Sequence, residues 1–281
     1  MRVNIGQSGE VYANAGVGVF DNGCKLVNSG ILDSVGTSVK VDAKDFTFVN
    51  HGFVFSDYES YFSYASVLRE TVINDGKIDS RGLQFGGAEI LIENREGGLI
   101  SASEEPLTFL NDESVARIVY AGKIEATGAD HIAIDGDSGR QIVVNSGEIV
   151  GDLRLEDRHD RYVGRGGTVD GEIDAGAGND RVIGGQSGDL IVGGGGNDRL
   201  TGGYGFDAFI FRSYEANGDD VITDFDAVGG SGSQDYIHVE TLDFEMHKSG
   251  KDVVIDFANG DSITLLDVRF SQLAQEDFVL I

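Results

Sequence analysis

Four nonapeptides, "AGAGNDRVI", "GGQSGDLIV", "GGGGNDRLT" and "GGYGFDAFI", run end to end without a gap over residues 175–210. They set Asp180, Asp189, Asp198 and Asp207 nine residues apart, with Val182, Ile191, Leu200 and Phe209 always two residues later. So strict a beat is not that of a floppy linker, although glycine and aspartate dominate the stretch. In each copy six residues are expected to turn, with glycines taking the positive φ that other residues avoid and baring their carbonyls. The last three are expected to form a short strand with its middle residue pointing inward. One copy is then half a coil, so Asp180 stacks over Asp198 and Asp189 over Asp207.

Stacked carboxylates repel one another, and a hard dication between them, its shell completed by carbonyl oxygens, turns that cost into binding. Calcium suits such a site better than magnesium or zinc, because the ligands are all oxygen, come partly from flexible backbone, and include no His or Cys. The residues expected to form the sites are Gly176, Gly178, Asp180, Gly185, Asp189, Gly194, Gly196, Asp198, Gly203, Gly205 and Asp207. Ala175 and Ser187 stand where the other copies have glycine, so the sites beside them are expected to be weaker. The pattern G-G-x-G-x-D-x-U-x resembles that of the RTX (hemolysin-type) calcium-binding family. The resemblance covers about residues 166–281 and implies a calcium-bound parallel β-roll over 166–211.

Beyond the repeats, "FIFRSYEANGDDVITDFDAVGGSGSQDYIHVETLDF" and the terminal "GDSITLLDVRFSQLAQEDFVLI" resemble the segments C-terminal to the nonapeptides in RTX proteins exported by type I secretion. That likeness implies a β-strand cap over 212–281, an uncleaved C-terminal export signal, and the type I machinery as a partner. Asp219, Asp220, Asp224 and Asp226 are candidates for a further calcium site, and Phe209, Phe211, Ile222, Phe225, Ile237 and Val239 for the core of the cap. "MRVNIGQSGEVYANAG" at the N-terminus lacks the apolar run of a secretory signal, and no stretch is long enough for a membrane span. The expectation is therefore an extracellular protein secreted without an N-terminal signal peptide. Extracellular calcium modules bind at roughly 10⁻⁴ to 10⁻³ M, which leaves such sites empty in the cytosol and filled outside. Cys24 is the only cysteine, so calcium takes the stabilising role that disulfides often have in secreted proteins.

A longer repeat precedes the nonapeptides. "KLVNSGILDS", "TFVNHGFVFS", "TVINDGKIDS", "REGGLISAS", "IVYAGKIEAT", "IVVNSGEIVG" and "TVDGEID" share Gly30, Gly52, Gly76, Gly98, Gly122, Gly147 and Gly171, spaced 22 to 25 residues apart. Two residues after each comes Leu32, Val54, Ile78, Ile100, Ile124, Ile149 or Ile173, and Gly9 with Val11 makes an imperfect first copy. A strand that recurs at this interval buries its apolar face only by stacking on the previous copy. Asn28, Asn50, Asn74 and Asn145, two residues before the glycine, suit a tight turn and a bond to the neighbour in the stack. The fold class is thus all-β. A parallel β-solenoid (β-helix) of about seven coils over 1–165 continues into the roll, and "LRLEDRHDRYVGRGG", 153–167, reads as a solvated junction between the two rather than a catalytic cluster around His159.

With 21 Lys and Arg against 48 Asp and Glu, the chain carries a formal charge of −27, which disfavours nucleic acid and anionic membranes and favours cations. The role of the N-terminal solenoid is open between two classes. It is either a binding or structural module for a glycan, a cell surface or copies of itself, or a polysaccharide lyase, epimerase or hydrolase. The patch "FTFVNHGFVFSDYESYFSYASV", 46–67, holds His51, Asp57 and Glu59 as candidate acid–base groups and Tyr58, Tyr61 and Tyr64 as a candidate sugar platform. Its blander reading has Phe46, Phe48, Phe53 and Phe55 stacked inward.

Overall fold

A computed structural model describes residues 22–33, 39, 41, 44–56, 67–212, 217–228 and 234–281, and the backbone alone of 2–5, 10–13, 17–19, 34, 40 and 60–61. The chain is an all-β solenoid of about eight turns. A first sheet of fourteen strands runs parallel from Arg2–Ile5 to Ser262–Leu265 and ends in an antiparallel hairpin, Phe244–Ser249 with Asp252–Phe257. The second sheet, of eight parallel strands, begins at Glu10–Ala13 and stops at Thr168–Asp170; the third has ten, from Ser60–Tyr61 to Phe278–Leu280. Coils therefore have three sides up to Asp170 and two beyond it, because a nonapeptide supplies one turn and one strand and nothing for the second sheet.

The aliphatic row expected from the long repeat lines the interior of the second sheet. Leu32, Val54, Ile78, Ile100, Ile124 and Ile149 lie in register on successive strands and are all buried. Full burial of each such side chain contributes about 1.5–3 kcal/mol. Val11 pairs with Leu32, extending the row to the imperfect first copy, whose Gly9 lies outside the described residues. The last copy differs from the expectation. Val169 is the partner of Ile149, and Ile173 pairs instead with Leu153 in the third sheet. Gly167, not Gly171, comes after Gly147 in the stack, since the Thr168 N–H donates to the Gly147 carbonyl. The coil shortens here as the second sheet runs out, and the spacing shortens with it.

Glycine and asparagine form the corner between the first and second sheets for reasons of contact. A Cβ on Gly52 would stand 2.1 Å from the Gly30 carbonyl oxygen, closer than any side chain tolerates. The buried asparagines bond along the stack as the spacing suggested: each Nδ2 of Asn28, Asn50 and Asn74 donates to the Oδ1 of the next, at 2.8 Å. Asn94, four residues before Gly98, completes that run, and Tyr120 takes the same register place one coil later. Asn145 Nδ2 then donates to the Tyr162 hydroxyl at 3.0 Å.

Phe46 and Phe48 point inward as expected, whereas Phe53 and Phe55 are half-buried on the outer face of the second sheet, rings stacked 6.3 Å apart. Strand alternation explains the difference, for once Val54 joins the aliphatic row its two neighbours must face out. The stretch 153–167 is no interruption: Asp152–Arg154 continues the third sheet and Arg161–Gly164 the first. Phe209, in the last nonapeptide, and Phe211, Ile222, Phe225, Ile237 and Val239 beyond it are all buried. No helix among the described residues is long and apolar enough to cross a membrane.

Replacing Asn50 by Ala breaks two links of the buried ladder and leaves Asn28 and Asn74 each short of a partner. A loss of about 2–4 kcal/mol is expected from the orphaned groups, seen as a lowered melting temperature, while Thr47→Ala on the outward side of the same strand should change it little.

Candidate metal centre

Where the turns lead into first- and third-sheet strands, backbone N–H groups donate to aspartates of the next coil. In one column Gln141 N–H donates to Asp160 Oδ1 (2.7 Å), Asp160 N–H to Asp180 Oδ1 (2.6 Å), Asp180 N–H to Asp198 Oδ1 (2.8 Å), and Asp198 N–H to Asp220 Oδ1 (2.8 Å). A second column, one half-coil away, links Asp189 N–H to Asp207 Oδ1 (2.9 Å) and Asp207 N–H to Asp235 Oδ1 (3.1 Å). The stacking expected from the nonapeptides is present, and each column extends beyond them.

One oxygen of each carboxylate accepts a backbone N–H, from the preceding coil except at Asp189, whose Oδ2 takes the Gly185 N–H of its own turn; the other is what matters chemically. Oδ2 of Asp160, Asp180, Asp198 and Asp220, and Oδ1 of Asp189, are buried with no hydrogen-bond partner. These five residues are no more than 3% exposed. Removal from water, reinforced by neighbouring carboxylates, pushes Asp180 and Asp220 up to about 8. Burial likewise raises Asp160 and Asp198 to about 7, Asp235 to about 7 and Asp189 to about 6. A buried charge with no counter-charge is costly, so the columns must be neutralised by protons or by cations.

Glycine makes the rest of the cradle. Gly176, Gly178, Gly194, Gly196, Gly203 and Gly205 all have positive φ, and a Cβ on Gly194 would lie 1.9 Å from the Gly176 carbonyl oxygen. Gly185 differs: its φ is not positive, and its N–H donates to Asp189 Oδ2 at 2.7 Å. That is the copy in which Ser187 replaces glycine. Among the described residues no three His, Cys, Asp or Glu side chains converge as a ready-made ligand set. The donor chemistry that is present is a spare carboxylate oxygen on successive coils beside glycine-rich backbone, all of it oxygen.

The turn geometry begins earlier than the consensus copies. "LEDRHDRYV", 155–163, stacks residue for residue on "AGAGNDRVI": Asp157 bridges Ala177, Arg161 pairs with Arg181, and Glu156 (φ 65°) and Arg158 (φ 85°) take the places of Gly176 and Gly178. Left-handed backbone at a non-glycine residue costs about 1–2 kcal/mol, and here it is imposed twice in one turn. "GDSGRQIVV", 136–144, repeats part of the geometry, with Asp137 at φ 49° and Gln141 in the aspartate position but no positive φ at Gly139. Asp160 thus belongs to the column without being expected there, although the pairs Asp160–Arg161, Asp180–Arg181 and Asp198–Arg199 carry the signal.

Of the further acidic candidates, the structure brings only Asp220 into the column. Asp224 accepts from the N–H groups of Gly202 and Gly203, Asp219 is exposed and bonded to Ser262, and Asp226 receives the Val228 N–H. Asp235, and Asp261, which accepts from the Asn217 and Gly218 N–H groups, are not foreshadowed by the repeat. His159 is exposed, and its Nδ1 accepts the Asn179 N–H. His51 Nδ1 lies 2.6 Å from Asp75 Oδ1. Asp57, Glu59, Tyr58 and Tyr64 lie outside the described residues, and of Tyr61 only the backbone is described, in a strand paired with Leu83–Phe85.

No family model matches the chain, and no curated protein matches it in sequence.

The raised carboxyls make the metal-free protein sensitive to pH in a defined direction. With folded values from about 6 to about 8 against an unfolded value of about 3.9, the native state holds more protons throughout that window. Stability should then be full below about pH 4 and fall as pH rises toward about 8. Thermal melts of the metal-free protein are expected to give a higher midpoint at pH 5 than at pH 8, with a smaller difference in Asp180→Asn. A midpoint that rises with pH would contradict the burial of these groups.

Proposed function

We propose that this chain is a secreted, calcium-binding protein of RTX type, whose C-terminal coils reach their stable form only with calcium and whose N-terminal solenoid serves as a binding or structural module. The observation that carries the reading is the row of buried carboxylate oxygens without a partner, one on each coil from Asp160 to Asp220. When bound, calcium supplies the positive charge that the columns lack. Asp180 with Asp198, and Asp189 with Asp207, would hold it, helped by carbonyls of the glycine turns; Asp160 and Asp220 extend the first column at either end.

Without the cation the same residues work against the fold. Four unsatisfied carboxylates one coil apart repel through a poorly solvated interior, so residues 155–239 are expected to be loosely held. The coils from Cys24 to Asn145 rest on the aliphatic row and the asparagine ladder, which carry no charge. A chain whose C-terminal half is loose inside the cell and ordered outside suits threading through a type I exporter, with the export signal at the C-terminus. Outside, metal binding and folding of that half become one equilibrium.

Melting of the metal-stripped protein tests the proposal. Calcium at a hundredfold excess over Kd is expected to add about 2.7 kcal/mol per site, with magnesium adding far less because it dehydrates reluctantly and demands tighter geometry. Asp198→Asn keeps the capping acceptor and removes the charge. It should abolish most of the calcium-dependent rise while leaving the metal-free midpoint unchanged or higher. A wild-type midpoint indifferent to calcium would overturn the reading.

A further inference from the structure

The outer face of the first sheet changes character between Val115–Tyr120 and Arg199–Thr201. Its outward side chains include Arg117, Arg161, Arg181 and Arg199, all exposed, over a floor of half-buried aliphatic residues such as Ile142 and Ile183, and none is acidic. Glu89 and Glu93 bound this window on one side and Asp219 on the other. Arg161, Arg181 and Arg199 are in direct register on three adjacent strands. Their Cα atoms thus repeat at about 4.8 Å, a stack of like charges.

What sets these arginines apart is their common face, with three of them in one register row on adjacent strands. No ion pair among the described residues involves Arg117, Arg161, Arg181 or Arg199; the other exposed cations without one, among them Lys25, Lys44, Arg154, Arg165, Lys248 and Arg269, share no such register row, and Arg69, Lys77, Arg81, Arg95, Lys123 and Lys251 are paired. Arg140, next to them, is engaged through Nε with the His159 carbonyl and lies close enough to Asp160 to lower its pKa. In a chain of net charge −27, four unpaired arginines on one acid-free face are a local reversal of sign.

We infer that this face binds an acidic polysaccharide lying across the strands, along the solenoid axis, with its carboxylate or sulfate groups on the arginine row. The inference goes beyond the binding role proposed for the N-terminal solenoid, since Arg117 and Arg161 lie within residues 1–165 but Arg181 and Arg199 lie on the nonapeptide coils. Guanidinium forks meet carboxylates and sulfates with two parallel bonds, and an evenly spaced row favours a ligand whose charges also repeat. A peptide has no means of adding as a strand here, since both edges of every strand in the window are already paired. Repulsion from the rest of the acidic surface confines a polyanion to this stripe.

The test uses the full chain with calcium present and three polymers of one backbone: dextran, carboxymethyl-dextran and dextran sulfate. Titration calorimetry should show the two charged polymers binding, more weakly as salt rises, and dextran not binding. The triple variant Arg161→Gln, Arg181→Gln, Arg199→Gln should lose at least tenfold in affinity with an unchanged melting temperature; the side chains point outward, so folding is not at stake. The corresponding triple Lys variant should fall between the two. Equal binding by the Gln variant, binding of neutral dextran, or no binding of any polymer would overturn the inference. So would a wild-type dimer that the Gln variant abolishes, which would make a second acidic copy of the chain the partner. Melts with and without calcium, run alongside, separate the two readings: polymer binding that depends on the arginines while calcium leaves stability unchanged would sink the calcium proposal and leave this one standing.

Discussion

Each coil of this protein is incomplete alone, and what completes it changes along the axis. In the three-sided part the corner groups are satisfied by asparagine amides that both donate and accept, so the stack closes on itself without charge. From Asp160 onward the corner acceptor is a carboxylate. Asp160, Asp180, Asp198 and Asp220 each cap the N–H of the preceding coil through one oxygen and bury the other. An amide ladder where first-sheet strands end thus gives way to a carboxylate column where they begin, and the solenoid changes from self-sufficient to one that needs protons or cations.

The two corner chemistries overlap in the middle of the molecule. Gln141 occupies the aspartate place in a turn of the later type while Asn145, four residues on, still serves the earlier ladder. Asp160 is the first charged member of the column, and its coil still has a strand in the second sheet, Thr168–Asp170. The change from neutral to charged corners thus precedes the change from three sides to two by one coil, with the ladders of the first and third sheets running unbroken through both. The left-handed Glu156 and Arg158 mark the strain of building that turn from residues other than glycine.

Much of this is legible from spacing. The aliphatic row two residues after each glycine, the asparagine contacts and the alternate stacking of the nonapeptide aspartates all derive from periodicity, because stacking makes sequence interval equal to spatial neighbourhood. Periodicity fails where the interval itself changes. Gly171 falls at a plausible distance from Gly147, yet the shortened coil puts Gly167 there. Phe53 and Phe55 face outward because alternation from Val54 outweighs their hydrophobicity. Asp160 is hidden by its charged neighbours, which resemble a solvated loop by composition while their backbone repeats the glycine turns.

The division into neutral and charged corners makes one comparison decisive: amide hydrogen exchange of the metal-free protein with and without calcium, resolved by segment. Calcium is predicted to slow exchange strongly over residues 155–239, above all at the N–H groups of Asp160, Asp180 and Asp198, and to leave residues 69–126 nearly unchanged. Protection that is uniform along the chain, or absent from the aspartate turns, would contradict the account.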